Sequence, residues 1–339
     1  MRLDNYDIFI GDLGICIPTF NRAKMLDECL SSLIPFAECS NIQIYISDDG
    51  STDETETIVN KFLKDFPFIT YKKNDSNIGM YLNTYEVIKM SKTKYIWLMG
   101  DDDRVVKEDL SPILSSICDG FDFIILNSRS FDFSMLKVKK ERIIECESDR
   151  VYKPDCHEIL LKDLRKWAYH GFMSSMIAKR EVFLDGDRHY EDSSYLLYKN
   201  NWLPLIMFYS GIVGKKGIFL CKPLIENRSD NRHLKRNFWE NSIIGRIKAL
   251  ESLQEFGYNI KYLKKSVGLN PLEIFYFGIY AKKTNNEIKL FTDFVKRGKL
   301  FGITFKTITL MLDILPEVIV SRILWWIVQI NVNHSQLTP

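Results

Sequence analysis

Tyr95-Ile96-Trp97-Leu98-Met99-Gly100-Asp101-Asp102-Asp103 is an apolar run that ends in three consecutive carboxylates. The first five residues have the character of a buried strand, and glycine and aspartate then stop it. Acidic groups crowded at a strand end repel one another unless a cation, or a ligand carrying one, shares the charge. Open α/β sheets bind ligands outside the carboxyl ends of their strands, so the chemistry is expected here. The competing reading is an acidic turn capping a helix that starts near Lys107.

Upstream, strand and helix patterns alternate from Gly14 to about Asn127. Ile15-Cys16-Ile17-Pro18 is a short apolar strand, and Met25, Leu26, Cys29, Leu30 and Leu33 are spaced as one face of a helix over Asn21 to Leu33. Ile42 to Ile46 forms a second strand, which runs into the acidic turn Ser47-Asp48-Asp49-Gly50-Ser51-Thr52-Asp53 and a helix through Leu63. Strands at Phe68 to Tyr71, Tyr95 to Met99 and Phe121 to Leu126 follow, with a helix over Met80 to Met90. This rhythm predicts an α/β fold with a parallel sheet wrapped by helices, because parallel strands need crossover connections. It also brings the loops at Asp48-Asp49 and Asp101 to Asp103 to one sheet edge.

Residues from about Ser128 to Asp163 are polar and give no clear pattern. Beyond them a strand is predicted over Phe172 to Ile177, a helix around Tyr195 to Ser210, and a strand over Gly217 to Cys221. From Phe238 the pattern turns helical. The division that follows is 1–225, with a first half 14–127 and a second half 128–225, and a mainly helical region 226–339.

The chain has 339 residues and a formal net charge of +2, enough to bury a large core and too balanced for a dedicated nucleic-acid binder. Its seven cysteines are scattered without a paired spacing, so neither a zinc ribbon nor a disulfide framework is legible, and a reduced cytoplasmic protein is expected. No basic segment and apolar core at the N-terminus argues for secretion. Basic residues gather late, at Arg232 to Arg236, at Lys261, Lys264 and Lys265, and from Lys282 to Lys299. The apolar stretch Ile303 to Ile330 is interrupted by Lys306, Asp313, Glu317 and Arg322 and kinked by Pro316, which is unlike a spanning helix. Two readings stay open: a helix docked on the protein's own core, or one lying in a membrane interface beside the basic clusters.

Ile15-Cys16-Ile17-Pro18-Thr19-Phe20-Asn21-Arg22, the run Ser47 to Asp53, Asn77-Ile78-Gly79 and the Asp101-Asp102-Asp103 triplet, in this order and spacing, resemble the family 2 glycosyltransferases with the GT-A fold, a Rossmann-like nucleotide-sugar-binding sheet. Within that family, Gly100-Asp101-Asp102-Asp103, Ser174-Ser175 and Asn227-Arg228-Ser229-Asp230-Asn231 are similar to bacterial O-antigen enzymes of the abequosyltransferase type.

The resemblance implies a nucleotide-sugar donor and Mg²⁺ or Mn²⁺, because a divalent ion offsets the charge that builds on a departing diphosphate. It makes Asp103 the first metal ligand, with Asp102 sharing the ion or contacting the ribose and Asp101 beside them. Pro18, Thr19 and Phe20 would flank the base, Asp49 would accept from its ring N–H with Asp48 as neighbour, and Asn83 is a further pocket candidate. In an inverting transfer the acceptor hydroxyl needs a carboxylate base, and Glu191 or Asp192 occupies that region of the chain, or else caps a helix beside Ser193. Arg228 and Asn231 could reach the diphosphate, and His233 could join the metal shell. The acceptor implied is a lipid-linked oligosaccharide on a polyprenyl diphosphate, met by peripheral contact with the inner face of the plasma membrane. Two other classes remain: a sugar-nucleotide nucleotidyltransferase, which usually carries a Gly-rich loop after the first strand where Pro18 to Asn21 has none, and a non-catalytic carbohydrate-binding scaffold.

Overall fold

The computed structural model describes residues 12–40, 42–106, 110–164, 169, 171–185, 202–229 and 245–266. Glu191, Asp192, Asn231, His233, the basic clusters at 232–236 and 282–299, and the stretch 303–330 lie outside the described residues.

Ten described strands form one sheet. β1 (Leu13–Thr19), β2 (Gln43–Asp48), β3 (Ile69–Lys73) and β4 (Tyr95–Leu98) give the order β3-β2-β1-β4, all parallel. The sheet continues through β9 (Met176–Lys179), β6 (Phe123–Phe131), β10 (Gly217–Arg228) and the two-residue β5 (Arg104–Val105). β7 (Val138–Lys140) pairs with β6, and β8 (Arg150–Tyr152) with β10.

Strand order reverses at β1: the chain first steps outward to β2 and β3, then returns to β4 on the other side. Such a switch point opens a crevice between the loops that leave its two strands. Those loops are Phe20 to Arg22, after β1, and Met99 to Asp103, after β4.

Side chains alternate between two cores, as a sheet buried on both faces requires. Ile15, Ile17, Tyr95, Trp97, Ile124 and Leu126 face one core, shared with α1 (Ala23–Ser40), α2 (Thr55–Asp65) and α4 (Ser111–Cys118). Cys16, Ile96, Leu98, Phe123 and Ile125 face the other, which α3 (Met80–Met90), α5 (His157–Asp163), α6 (Arg180–Asp185), α7 (Leu203–Gly211), α8 (Gly245–Ser252) and α9 (Ile260–Ser266) fill.

Two differences from the sequence reading have physical causes. The sheet is mixed, because β9 runs antiparallel to both β4 and β6. The chain approaches β9 from a turn at Met173–Ser175 that sits against the end of β4, so the strand can only descend. α1 continues past Leu33 to Ser40 with Pro35 inside it, because Ile34 and Ala37 extend the buried stripe begun by Leu26 and Leu30. The triplet runs into Arg104–Val105, which pairs with β10, and α4 starts at Ser111, while the helix start expected near Lys107 falls on residues 107–109, outside the described residues.

The expectation of unpaired thiols fails at one place. Cys146 and Cys221, 75 residues apart in sequence, are joined as a disulfide with Cα atoms 5.9 Å apart. That separation is why spacing could not show it. The division at residue 225 falls inside β10, which runs on to Arg228, and Ile247, Leu250, Leu253 and Leu263 join the core beneath the sheet. Lys261, Lys264 and Lys265 are exposed on α9. No described helix is long and apolar enough to cross a membrane.

Candidate active site

Thr19 joins the two acidic loops. Its carbonyl accepts the Asp49 N–H at 2.9 Å, and its hydroxyl donates to Asp101 Oδ2 at 2.8 Å. The loop after β2 and the loop after β4 are therefore fixed to the same residue at the end of β1, over one sheet edge.

The β2 loop is held from within. Asp48 accepts the Ser51 N–H at 2.8 Å and the Tyr71 hydroxyl at 2.7 Å. Asp49 accepts the backbone N–H groups of Ile78 at 2.8 Å and Gly79 at 2.9 Å, together with the Asn74 amide at 3.2 Å. It thereby fastens the segment before α3 to the end of β2. Gly50 makes the turn with φ of 73°, where a Cβ would meet the Ser76 backbone at 3.0 Å. Asn83 donates to the Ser47 carbonyl at 2.9 Å and accepts from the Ser47 hydroxyl at 2.6 Å and from Asn74 at 3.2 Å. Asp48, Asp49 and Asn83 thus lie beneath the surface with their polar atoms engaged, and they shape the wall of the crevice. Phe20, Ile78 and Met80 are exposed large apolar side chains on the β1 loop and around the start of α3. Aromatic and aliphatic faces of this kind suit a planar base.

The triplet divides its labour. Asp101 is buried and bonded to Thr19 and to Arg22, whose Nη1 lies 2.8 Å from Oδ1. Asp103 is buried too: its Oδ1 accepts the Arg228 N–H at 3.0 Å and the Asn227 amide at 3.2 Å, and its Oδ2 accepts the Ser174 hydroxyl at 2.5 Å. Asp102 is the most open of the three, with 19 % of its side chain exposed and Arg22 Nη1 at 3.1 Å. Arg228 passes under the loop. Its guanidinium donates to the carbonyls of Asp102 at 2.9 Å and Phe133 at 2.6 Å and pairs with Glu28 at 2.6 Å. With 4 % of its side chain exposed, it props the acidic loop from below.

Glu28 and Tyr71 escaped the functional reading of the sequence, and Ser174 and Asn227 entered it only through the resemblance and without a role, because each acts through a partner far along the chain. Arg22 carried a local signal, its place in the Pro18 to Arg22 run.

Among the described residues no set of three or more His, Cys, Asp or Glu side chains forms a ready metal cage. A hard divalent ion does not need one, since one or two carboxylates and a diphosphate complete its shell. The donor set fits such an ion: Asp102 is the most exposed of the three carboxylates, with Oδ2 facing Arg22 at 3.1 Å, and one lone pair of Asp103 Oδ2 is unclaimed by the bonds above.

Burial, and then the neighbouring Asp102 charge, push Asp103 up to about 7. Burial pushes Asp101 up to about 6, against the pull of Arg22. Both groups hold protons more tightly folded than unfolded, so stability is fullest below the ordinary carboxylate range and is lost as pH rises from about 4 towards 7. In the presence of a chelator, the melting temperature of the wild type should fall relative to that of Asp103→Asn between pH 4 and pH 8. Parallel profiles would remove Asp103 as the cause.

Comparison with known proteins fits this geometry. A relative, abequosyltransferase RfbV of Salmonella typhimurium, is 26 % identical over 231 residues, which are 65 % of this chain and 67 % of that protein. The GalNAc(5)-diNAcBac-PP-undecaprenol beta-1,3-glucosyltransferase of Campylobacter jejuni is 27 % identical over 34 % of this chain and 37 % of its own length. Among solved structures, S. aureus TarS in complex with UDP-GlcNAc superposes with a TM-score of 0.60 at 15 % identity, covering 85 % of this chain and 81 % of that one. A mannosyltransferase from Pyrobaculum calidifontis, in complex with GDP-Man and Mn²⁺, gives 0.51 at 12 % identity over 92 % of this chain and 86 % of its own. These likenesses carry the GT-A fold. The model of "Glycosyl transferase family 2" matches residues 14–213, more than half of the sequence, and with two acidic loops tied at the switch point of such a sheet the chain belongs to the family 2 glycosyltransferases.

Proposed function

We propose that this glycosyltransferase moves a sugar, with inversion and with the help of Mg²⁺ or Mn²⁺, from a nucleotide sugar to a lipid-linked oligosaccharide in bacterial surface-polysaccharide synthesis. The observation that carries the reading is Thr19, which fixes the Asp49 loop and the Asp101 to Asp103 loop to one crevice. A nucleotide sugar presents a planar base and an anionic diphosphate, and the crevice offers a matching side for each.

The base lies against Pro18, Thr19 and Phe20, and Asp48, Asp49 and Asn83 keep the opposing wall in place. Asp102 and Asp103 hold the ion, which when bound offsets the charge on the departing diphosphate. Asp101 fixes the loop through Thr19 and Arg22. Arg228 supports the carboxylates from beneath. Glu191 or Asp192 takes the proton from the acceptor hydroxyl as it attacks.

The acceptor class rests on the relatives: one is named an abequosyltransferase, and the name of another specifies an undecaprenyl-diphosphate glycan. The late basic clusters suit an anionic membrane surface, which supports a peripheral position on the inner face of the plasma membrane. Family membership sets aside nucleotidyltransfer and a non-catalytic scaffold.

A mass-spectrometric screen of nucleotide sugars with Mn²⁺ tests this, scored for donor hydrolysis and for transfer to lipid-linked oligosaccharides extracted from bacterial membranes. One donor should be consumed, and EDTA should stop its consumption. Turnover indifferent to EDTA would defeat the metal, and consumption of donor with no glycolipid product would defeat the acceptor.

A further inference from the structure

One nitrogen of Arg22, Nη1, lies 2.8 Å from Asp101 Oδ1 and 3.1 Å from Asp102 Oδ2. It stands between two carboxylates, where a cation shared by both would stand.

The backbone around it is built for this placement. Asn21 adopts a left-handed conformation, φ of 51°, which asparagine takes more readily than other residues with a Cβ. The Asn21 N–H donates to the Ser51 hydroxyl at 2.8 Å, and the Asn21 side-chain oxygen accepts from the Thr52 N–H at 2.8 Å and the Asp53 N–H at 3.3 Å. On the far side the Ala23 N–H donates to Asp53 at 3.1 Å. Both neighbours of Arg22 are thus tied to the turn after β2, and the arginine is aimed across the crevice at the loop after β4.

Its exposure separates it from the other arginine of the site. Arg228 is sealed in, whereas 30 % of the Arg22 side chain is open to solvent. A guanidinium with an open face can exchange a carboxylate for phosphate oxygens, which match its forked donors.

We propose that Arg22 is a counter-cation built into the donor site, which keeps a divalent ion off Asp102 until a nucleoside diphosphate brings the ion and gives the guanidinium a new anionic partner. The inference rests on the metal-dependent reading above. It makes ion and nucleotide bind cooperatively: each is weak alone, and each lowers the cost of binding the other. A divalent ion arriving alone must displace Arg22 from Asp102 with nothing to receive it.

Mn²⁺ binding to the full chain, followed at pH 8 by the loss of the free-ion electron paramagnetic resonance signal, tests this without any turnover. Mn²⁺ is titrated alone and then with UDP, GDP or dTDP. The wild type should bind Mn²⁺ about tenfold or more tightly in the presence of its nucleotide than in its absence. Arg22→Gln should bind Mn²⁺ alone about tenfold more tightly than the wild type and gain about tenfold less from the nucleotide than the wild type does, the remaining gain being the diphosphate's own ligation of the ion. Arg22→Lys, which keeps the charge, should bind Mn²⁺ alone as the wild type does.

The inference is overturned if Arg22→Gln holds Mn²⁺ alone no more tightly than the wild type. It is overturned equally if all three nucleotides leave the wild-type affinity unchanged, a measurement that needs no variant to fold. Tight Mn²⁺ binding by both proteins with equal affinity would sink the counter-cation and leave the metal reading standing. No binding under any condition would remove both.

Discussion

Asp103→Asn is expected to lower sugar transfer and donor hydrolysis about 10³-fold or more, the equivalent of roughly 4 kcal/mol in the barrier, while the protein remains folded. Asparagine is the informative replacement. Asp103 receives three donors in a buried place, from Ser174, Asn227 and the Arg228 backbone. Alanine would leave all of them without an acceptor, at about 1–3 kcal/mol for each buried group, and would confuse lost chemistry with a damaged loop. The amide keeps the shape and one acceptor oxygen for the Arg228 N–H and the Asn227 amide. The Ser174 hydroxyl can rotate to accept from the new amide nitrogen. What the amide lacks is the anionic charge that draws a hard divalent ion. Initial rates with the donor found in the screen, set beside circular dichroism and thermal melting, check the result. Activity within tenfold of the wild type in a folded Asp103→Asn protein would remove Asp103 from the metal.

The largest stability effect is expected at Trp97. Its ring is fully buried, meets Phe36 edge to face at a centroid distance of 6.4 Å, and donates its indole N–H to the Ser174 carbonyl at 2.8 Å. Trp97→Ala should cost about 3–5 kcal/mol through the cavity it leaves, a fall of roughly 4–7 °C in melting temperature for a chain of this size. Activity should fall further than stability alone explains. Ser174 spans the core and the acidic loop: its carbonyl accepts from Trp97, while its hydroxyl accepts the Gly100 N–H at 2.9 Å and donates to Asp103. Trp97→Phe separates the two effects, since it restores most of the buried area and leaves the carbonyl unpartnered. A melting temperature for Trp97→Ala within about 1 °C of the wild type would show that the ring is not packed as described.

The first four strands and the helices between them were legible because their information is local. The first apolar run stops at Pro18, the second runs into Asp48-Asp49 and the fourth stops at Gly100, and each helical stripe lies within a few turns. The acidic loops could be placed at one edge for the same reason, since strand ends follow from strand order. What stayed hidden depends on partners distant in sequence. The direction of β9 is set by where Ser174 meets β4, and nothing within Met176 to Lys179 encodes it. The burial of Arg228 depends on Glu28, 200 residues away, so a phosphate-binding reading and a structural one looked alike from the sequence. Asp49 was read as a contact for the base, yet its carboxylate holds the backbone of Ile78 and Gly79, a use that only the folded loop displays. The pairing of Cys146 with Cys221 belongs to the same class.

Because a single threonine serves both loops, neither can drift without the other. A substitution that swells the seam between β1 and β4 would shift the loop after β2 and the carboxylates after β4 together. The exposed rim is independent of that joint. Phe20, Ile78 and Met80 present their side chains outward, clear of the bonds that fix the floor, so changes there leave the acidic corner its shape. Substitution in this scaffold therefore has a natural place to begin, at the lip of the crevice.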